Sequence, residues 1–192
     1  MKEEHKKIWQ KVKKDLDPER REHTRGVMYT CSALAMAHGA DHQQAFLAGM
    51  LHDCAKCIPT EEKLDLCEKL KITLTKTELE NPSLIHAKLG AVLAEKKYGV
   101  KDGAICHAIS VHTTGSPFMN TLDKILYIAD YIEPGREAAP NLAEIRKLAF
   151  SDLDYCMYRV LTDILEYLKE SPRSIDPMTK KTLLAYQKMV NR

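Results

Sequence analysis

No stretch of the 192-residue chain approaches the roughly 20 consecutive apolar residues needed to cross a bilayer. A membrane partner is therefore not expected. The opening Met1-Lys2-Glu3-Glu4-His5-Lys6-Lys7 is charged where a secretory leader would be apolar. Cysteine is too sparse for a secreted disulfide scaffold: Cys31, Cys54, Cys57, Cys67, Cys106 and Cys156 are spread along the chain. A net charge of +2 is too near balance to argue for a nucleic-acid-binding surface. Aromatic residues make up only 6%. There is no internal repeat, no low-complexity segment, and no convincing alternation of period two. What remains is 44% hydrophobic and 29% charged, dominated by Ala, Leu, Ile, Lys and Glu. That balance favours helix and gives enough apolar surface for one domain over residues 1–192. The expectation is an all-α, reduced, cytoplasmic protein.

Helix signals recur along the whole length. Asp17-Pro18 reads as an N-cap followed by proline at the first helical position, opening a helix to about His38 that stops at Gly39. Asp41 caps the next, which carries Ala45, Ala48, Leu51 and Ala55 at helical spacing and ends at Pro59. Thr60 to Lys71 reads as a short peripheral helix, and 72–82 as a loop closing on Asn81-Pro82. Ser83 then caps a helix to Tyr98-Gly99. Another spans about Asp102 to His112 and breaks at Thr113-Thr114-Gly115-Ser116-Pro117. Leu122, Ile125, Leu126 and Ala129 form one apolar stripe, ending at Glu133-Pro134-Gly135. Helices follow at about 141–150 and 151–169, and Asp176-Pro177 opens the last.

His52-Asp53 stands deep in an otherwise apolar helix, Ala48-Gly49-Met50-Leu51-His52-Asp53-Cys54-Ala55-Lys56. A buried carboxylate needs a cation or strong hydrogen bonds, and a divalent metal supplies the cation. Adjacent helical residues differ by about 100°, so one faces a site and the other reaches its edge. His23, His86, His112 and Asp130 lie at helical positions elsewhere, and Asp130 interrupts Ile125-Leu126-Tyr127-Ile128-Ala129 with a charge. Imidazole and carboxylate together suit iron, manganese, cobalt, nickel or zinc. A single such histidine is ordinarily a core residue with a satisfied hydrogen bond. The ordered set is what points to a metal.

The order His23, His52-Asp53, His86, His112, Asp130 resembles the HD superfamily of helical metal-dependent phosphohydrolases. The run around His52, the His112-Thr113-Thr114-Gly115 turn and Ile128-Ala129-Asp130-Tyr131-Ile132-Glu133-Pro134-Gly135-Arg136 look more narrowly like its YqeK-type branch. Members of that branch are symmetrical bis(5′-nucleosyl)-tetraphosphatases, which cut diadenosine tetraphosphate into two ADP. The resemblance covers about residues 15–190, with a motif core at about 15–136 and C-terminal helices at about 141–190. Met50 and Cys54 stand where the branch usually has aliphatic residues. The resemblance implies an HD-type helical bundle and hydrolysis by metal-activated water. It implies one metal on His23, His52, Asp53 and Asp130. His86 and His112 would bind a second metal bridged through Asp53, or hold substrate phosphate beside a single metal. Iron is the metal it suggests, with manganese, cobalt and nickel as alternatives. A homodimer is suggested by the resemblance alone.

A phosphate chain also calls for cations. Lys56, one turn beyond Asp53, can lean over the same site, although an ordinary surface lysine fits the position too. With Asp53 it is the residue expected to act in catalysis. Arg20 and Arg136 can reach phosphate or form surface salt bridges. Thr113, Thr114 and Gly115 contact the nucleotide or are simple loop chemistry. Cys54-Ala55-Lys56-Cys57 matches C-x-x-C but lacks a second ligand pair or a βαβ setting, and reads as small buried thiols. Lys6, Lys7, Lys11, Lys13 and Lys14 read as a solvated helix face, and His5, His38, His42 and His107 as non-ligands. Two rival functions stand beside the first: an HD nucleotidase or phosphohydrolase for another nucleotide, and a nucleotide sensor without turnover. The segment after Ser171 is expected to bear on substrate choice.

Overall fold

Prolines, glycines and capping side chains divide the chain into helices joined by turns, with no strand among the described residues. The structure is a computed structural model and describes residues 1–170 and 174–191. Residues 171–173, at the head of the segment expected to bear on substrate choice, lie outside the described residues.

The first helix, α1 (Glu3–Val12), carries the expected solvated face at Lys6, Lys7 and Lys11. Its opposite face buries Ile8, Trp9 and Val12, at the spacing that one side of a helix requires. Asp17 accepts from the Arg20 N–H at 2.7 Å and Pro18 opens α2 (Pro18–Ala37). Asp41 accepts from the Gln43 and Gln44 N–H groups and opens α3 (His42–Leu51). The peripheral helix is α4 (Thr60–Lys69).

The span read as a loop at 72–82 contains a helix, α5 (Lys76–Glu80). A reciprocal pair builds it: Thr75 Oγ1 accepts from the Glu78 N–H and Glu78 Oε2 accepts from the Thr75 N–H. Ser83 does not act as the expected helix cap. Its hydroxyl donates to Asn81 Oδ1 at 2.6 Å, within a 3₁₀ turn, Pro82–Leu84, that runs into α6 (Ile85–Lys96).

Asp102 caps α7 (Gly103–Val111) and Asn120 caps α8 (Thr121–Ile132). Then come α9 (Leu142–Ala149), α10 (Leu153–Lys169, capped by Asp152) and α11 (Pro177–Val190, capped by Asp176). Helix α8 packs against α2, α3, α7 and α10. Its Ile125, Leu126 and Ile128 are fully buried, each contributing about 1.5–3 kcal/mol relative to exposure. Helices α2 and α3 approach closely at Gly49, where a Cβ would stand 3.0 Å from the Met28 backbone. No helix among the described residues is long and apolar enough to cross a membrane.

Candidate metal centre

Five elements deliver the six residues singled out in the sequence to one place. His23 comes from α2, His86 from the first turn of α6, and Asp130 from α8. His112 is the residue after α7. His52-Asp53 does not lie deep in a helix as the pattern suggested. Helix α3 ends at Leu51, and the chain tightens into turns, with Cys54 N–H bonding Leu51 O and Lys56 N–H bonding Asp53 O. The turn lets both side chains point inward, His52 0% and Asp53 3% exposed.

Each histidine is oriented through Nδ1. In three of them the acceptor is the carbonyl three residues earlier: Gly49 O for His52 at 2.8 Å, Ser83 O for His86 at 2.5 Å, Ile109 O for His112 at 2.6 Å. His23 Nδ1 instead donates to Glu133 Oε1 at 3.1 Å. A carbonyl only accepts, so the proton must sit on Nδ1 and the Nε2 lone pair is left for the interior.

The four Nε2 atoms form two pairs. Those of His23 and His52 are 3.3 Å apart, and those of His86 and His112 are 3.2 Å apart. Lone pairs this close repel unless a proton or a metal ion lies between them. Asp53 turns one oxygen to each pair: Oδ2 is 3.4 Å from His52 Nε2, and Oδ1 is 3.1 Å from His86 Nε2. Asp130 Oδ1 completes the first group, 3.0 Å from His23 Nε2. Bonds of about 2.1 Å give ligand edges of roughly 3.0–3.4 Å around one ion. The donors therefore fit a divalent transition metal in both chemistry and spacing.

Charge tells the same story. Burial alone would raise the Asp53 carboxyl, but the His52 charge and the His112, His52 and His86 rings outweigh it and hold it well below the usual range. Burial would lower His52, yet Asp53 carries it above its ordinary value. His86, pushed down to about 4 by burial, stays neutral with its lone pair available. Protons and metal ions compete for the same nitrogens, so the shifts at Asp53 and His52 mark a place that favours positive charge, and neutral His86 keeps its lone pair for a metal.

Sequence reasoning missed the residue that holds His23. Glu133 is 3% exposed, and its Oε2 also accepts from the Gly135 N–H at 2.6 Å. The available signal was its position, three residues beyond Asp130 and so on a neighbouring part of the same face. Gly26 was missed with it. A Cβ there would collide with Glu133 Oε2, which explains a glycine inside α2. Gly26→Ala should therefore displace Glu133, release His23 and weaken metal affinity about 10–100-fold, as loss of outer-shell support typically does. Metal titration with a melting curve tests this. Without the collision, alanine in a helix interior would stabilise by about 1 kcal/mol, so a more stable protein with unchanged metal affinity sinks the idea.

Cations and cavities surround the centre. Arg20 donates to Asp53 Oδ2 at 2.8 Å, and Arg136 to Asp130 Oδ1 at 3.3 Å. One cavity of about 680 Å³ reaches Asp130, His112 and Thr113 and is walled by Tyr127, Tyr131 and Tyr167. A second, of about 720 Å³, reaches His23 and Arg20 along α2. Arg136 borders both. Lys56 lines neither cavity, but its charge acts on His86. Gly115 borders neither. It holds a left-handed φ of 68° and faces α11, where a Cβ would meet Thr182.

The other histidines stay apart, His38 on Ala149 O, His107 on Asp123, His5 stacked on Phe46 and His42 exposed. The six cysteines are free thiols. Cys54 is buried and points to Gly90 O, while Cys57 is half-buried and points to Asp17, so the C-x-x-C spacing makes no site.

Residues 20–135 match the HD domain family, a span that begins at Arg20 and ends just past Glu133. A relative from Bacillus subtilis, named bis(5′-nucleosyl)-tetraphosphatase, symmetrical, is 38% identical over 94% of each chain. One of the same name from Halalkalibacterium halodurans is 37% identical over 92% of this chain and 93% of its own. The crystal structure of a Clostridium acetobutylicum protein, described as a predicted HD superfamily hydrolase involved in NAD metabolism, superposes with a TM-score of 0.92 at 34% identity. It covers 96% of this chain and 97% of that one. With its histidines and aspartates gathered at one centre inside the matched span, the chain belongs to the HD domain family and is a metal-dependent phosphohydrolase.

Proposed function

We propose that the chain hydrolyses diadenosine tetraphosphate symmetrically, giving two ADP. The observation that carries this reading is the doubled donor set, with Asp53 turning one oxygen to each histidine pair beside two cavities. The names of its full-length relatives support it. In this reading His23, His52, Asp53 and Asp130 hold one ion, and Asp53, His86 and His112 hold a second. Iron is the proposed metal, with manganese, cobalt and nickel suited to the same donors. When bound, such ions polarise phosphoryl oxygens and bring the pKa of water toward about 7.

The chain's own groups position the substrate. Arg136, at the border of both cavities, forks onto oxygens of the phosphate chain. Arg20 adds charge from the α2 side, and Lys56 adds a point charge beside His86. Thr113 and the buried Tyr127 hydroxyl, which has no hydrogen-bond partner, face the first nucleotide. Water adds its oxygen to one of the two central phosphorus atoms. The bridging oxygen leaves with the other half, each half departs as an ADP anion, and the two protons of the water pass to solvent.

We assign the activity to the cytoplasm, where free thiols such as these stay reduced. The homodimer suggested by resemblance is checked by light scattering. Chromatography of products tests the function itself, using purified protein, ferrous or manganous ion and diadenosine tetraphosphate. ADP alone is expected, and a chelator should abolish it. AMP with ATP would keep the hydrolase and overturn symmetrical cleavage. No turnover would overturn this substrate and send the search to other nucleotides.

A further inference from the structure

We infer that the cavity along α2 seats the second nucleoside of the substrate, with Tyr29 as the platform on which its base stacks. The inference rests on the symmetrical-cleavage reading. A substrate cut at its centre carries a nucleoside away from the metal centre on each side, and each needs a seat.

Two cavities among the described residues are of the right kind. Their volumes, about 680 and 720 Å³, both lie within the range of roughly 300–1,000 Å³ typical of ligand pockets. They share Gly135 and Arg136, so the turn after α8 divides one from the other. Each touches the metal centre through different residues, Asp130 and His112 for the first, His23 for the second. The first is the more aromatic, with Tyr127, Tyr131 and Tyr167, and is the better seat for a lone nucleoside.

In the second cavity the residues follow the order of a nucleotide. Arg20 and Arg136 stand where the phosphates would leave the centre. Glu22, paired with Arg25 at 2.9 Å, offers a carboxylate suited to ribose hydroxyls. Tyr29 lies six residues beyond His23, about 9 Å along the helix. It is 64% exposed, unusual for so large an apolar ring in a cavity wall. It is nonetheless supported from one side. The ring meets Phe46 edge-on, centroids 5.5 Å apart at 72°, and Phe46 is backed in turn by the His5 ring. A supported, exposed aromatic face beside a cationic path is what a base stacks upon.

The test compares diadenosine tetraphosphate with adenosine 5′-tetraphosphate, which lacks the second nucleoside and yields ADP with pyrophosphate on central cleavage. The wild type should favour the two-ended substrate about tenfold or more in kcat/KM, the scale of one base–aromatic stack. Tyr29→Ala should lower that ratio about tenfold, chiefly through KM, and Tyr29→Phe should restore it. Tyr167→Ala, in the other cavity, should slow both substrates and leave the ratio unchanged. A wild type without the preference, a Tyr29→Ala protein that keeps it, or a Tyr29→Phe protein that loses it overturns the second seat while symmetrical cleavage stands. A wild type that releases no ADP from diadenosine tetraphosphate overturns both.

Discussion

Asp53→Ala should leave the purified protein without bound metal and lower hydrolysis of diadenosine tetraphosphate by at least about 10³-fold. Asp53 alone turns an oxygen to both histidine pairs, so its removal takes a ligand from each group at once. Metal contributes several kcal/mol of charge stabilisation to such a transition state, and each 1.36 kcal/mol is a factor of ten. The variant also deprives Arg20 of its 2.8 Å partner and the imidazoles of their counter-charge, so its melting temperature should fall. Asp53→Asn separates the two effects, because it keeps the shape and one acceptor while losing the charge. Elemental analysis after dialysis is the deciding measurement. Either variant with full metal content would remove Asp53 from the ligand set.

His86→Gln should reduce the metal content from two ions per chain toward one and slow turnover about 10²-fold. The expectation follows from the pairing: His86 and His112 approach each other at 3.2 Å and lie 3.1 and 3.8 Å from Asp53 Oδ1. His23, His52, Asp130 and Oδ2 are left as a complete group for the remaining ion. A competing role for His86, direct contact with a phosphate oxygen, would give the same loss of rate with one ion per chain before and after the change. Counting ions in both proteins, with circular dichroism to confirm folding, therefore decides between a metal ligand and a phosphate contact.

The residues gathered at the candidate centre were legible because they stand where charge is anomalous. Asp130 between Ala129 and Tyr131, and His52-Asp53 after Met50-Leu51, are polar groups in apolar runs, and burial makes such groups conspicuous. The caps at Asp17, Asp41 and Asp176 were legible because a carboxylate just before a helix has one evident job. What escaped was what looks ordinary in sequence. Glu133 precedes Pro134-Gly135, where an acidic residue at a helix end draws no notice, and its burial arises from packing against Gly26, Gly135 and His23, which sequence spacing does not show. The inner face of α1 was masked by its lysines, and α5 by Pro82 and a charged setting that hid the Thr75–Glu78 exchange. The two cavities had no signature at all, since the walls of each come from separate helices and turns, in the second from segments more than a hundred residues apart.

Three of the four imidazoles lean on carbonyls of their own local chain, so their aim survives small movements between helices. His23 takes its aim from Glu133, 110 residues away in sequence. In the proposed centre, separation of α2 from the end of α8 would free His23 while the other three imidazoles kept their aim. Exchange of an ion held there would then follow the tempo of helix separation rather than of coordination chemistry. Dissociation of the His23-bound ion should keep time with amide exchange in the middle of α8.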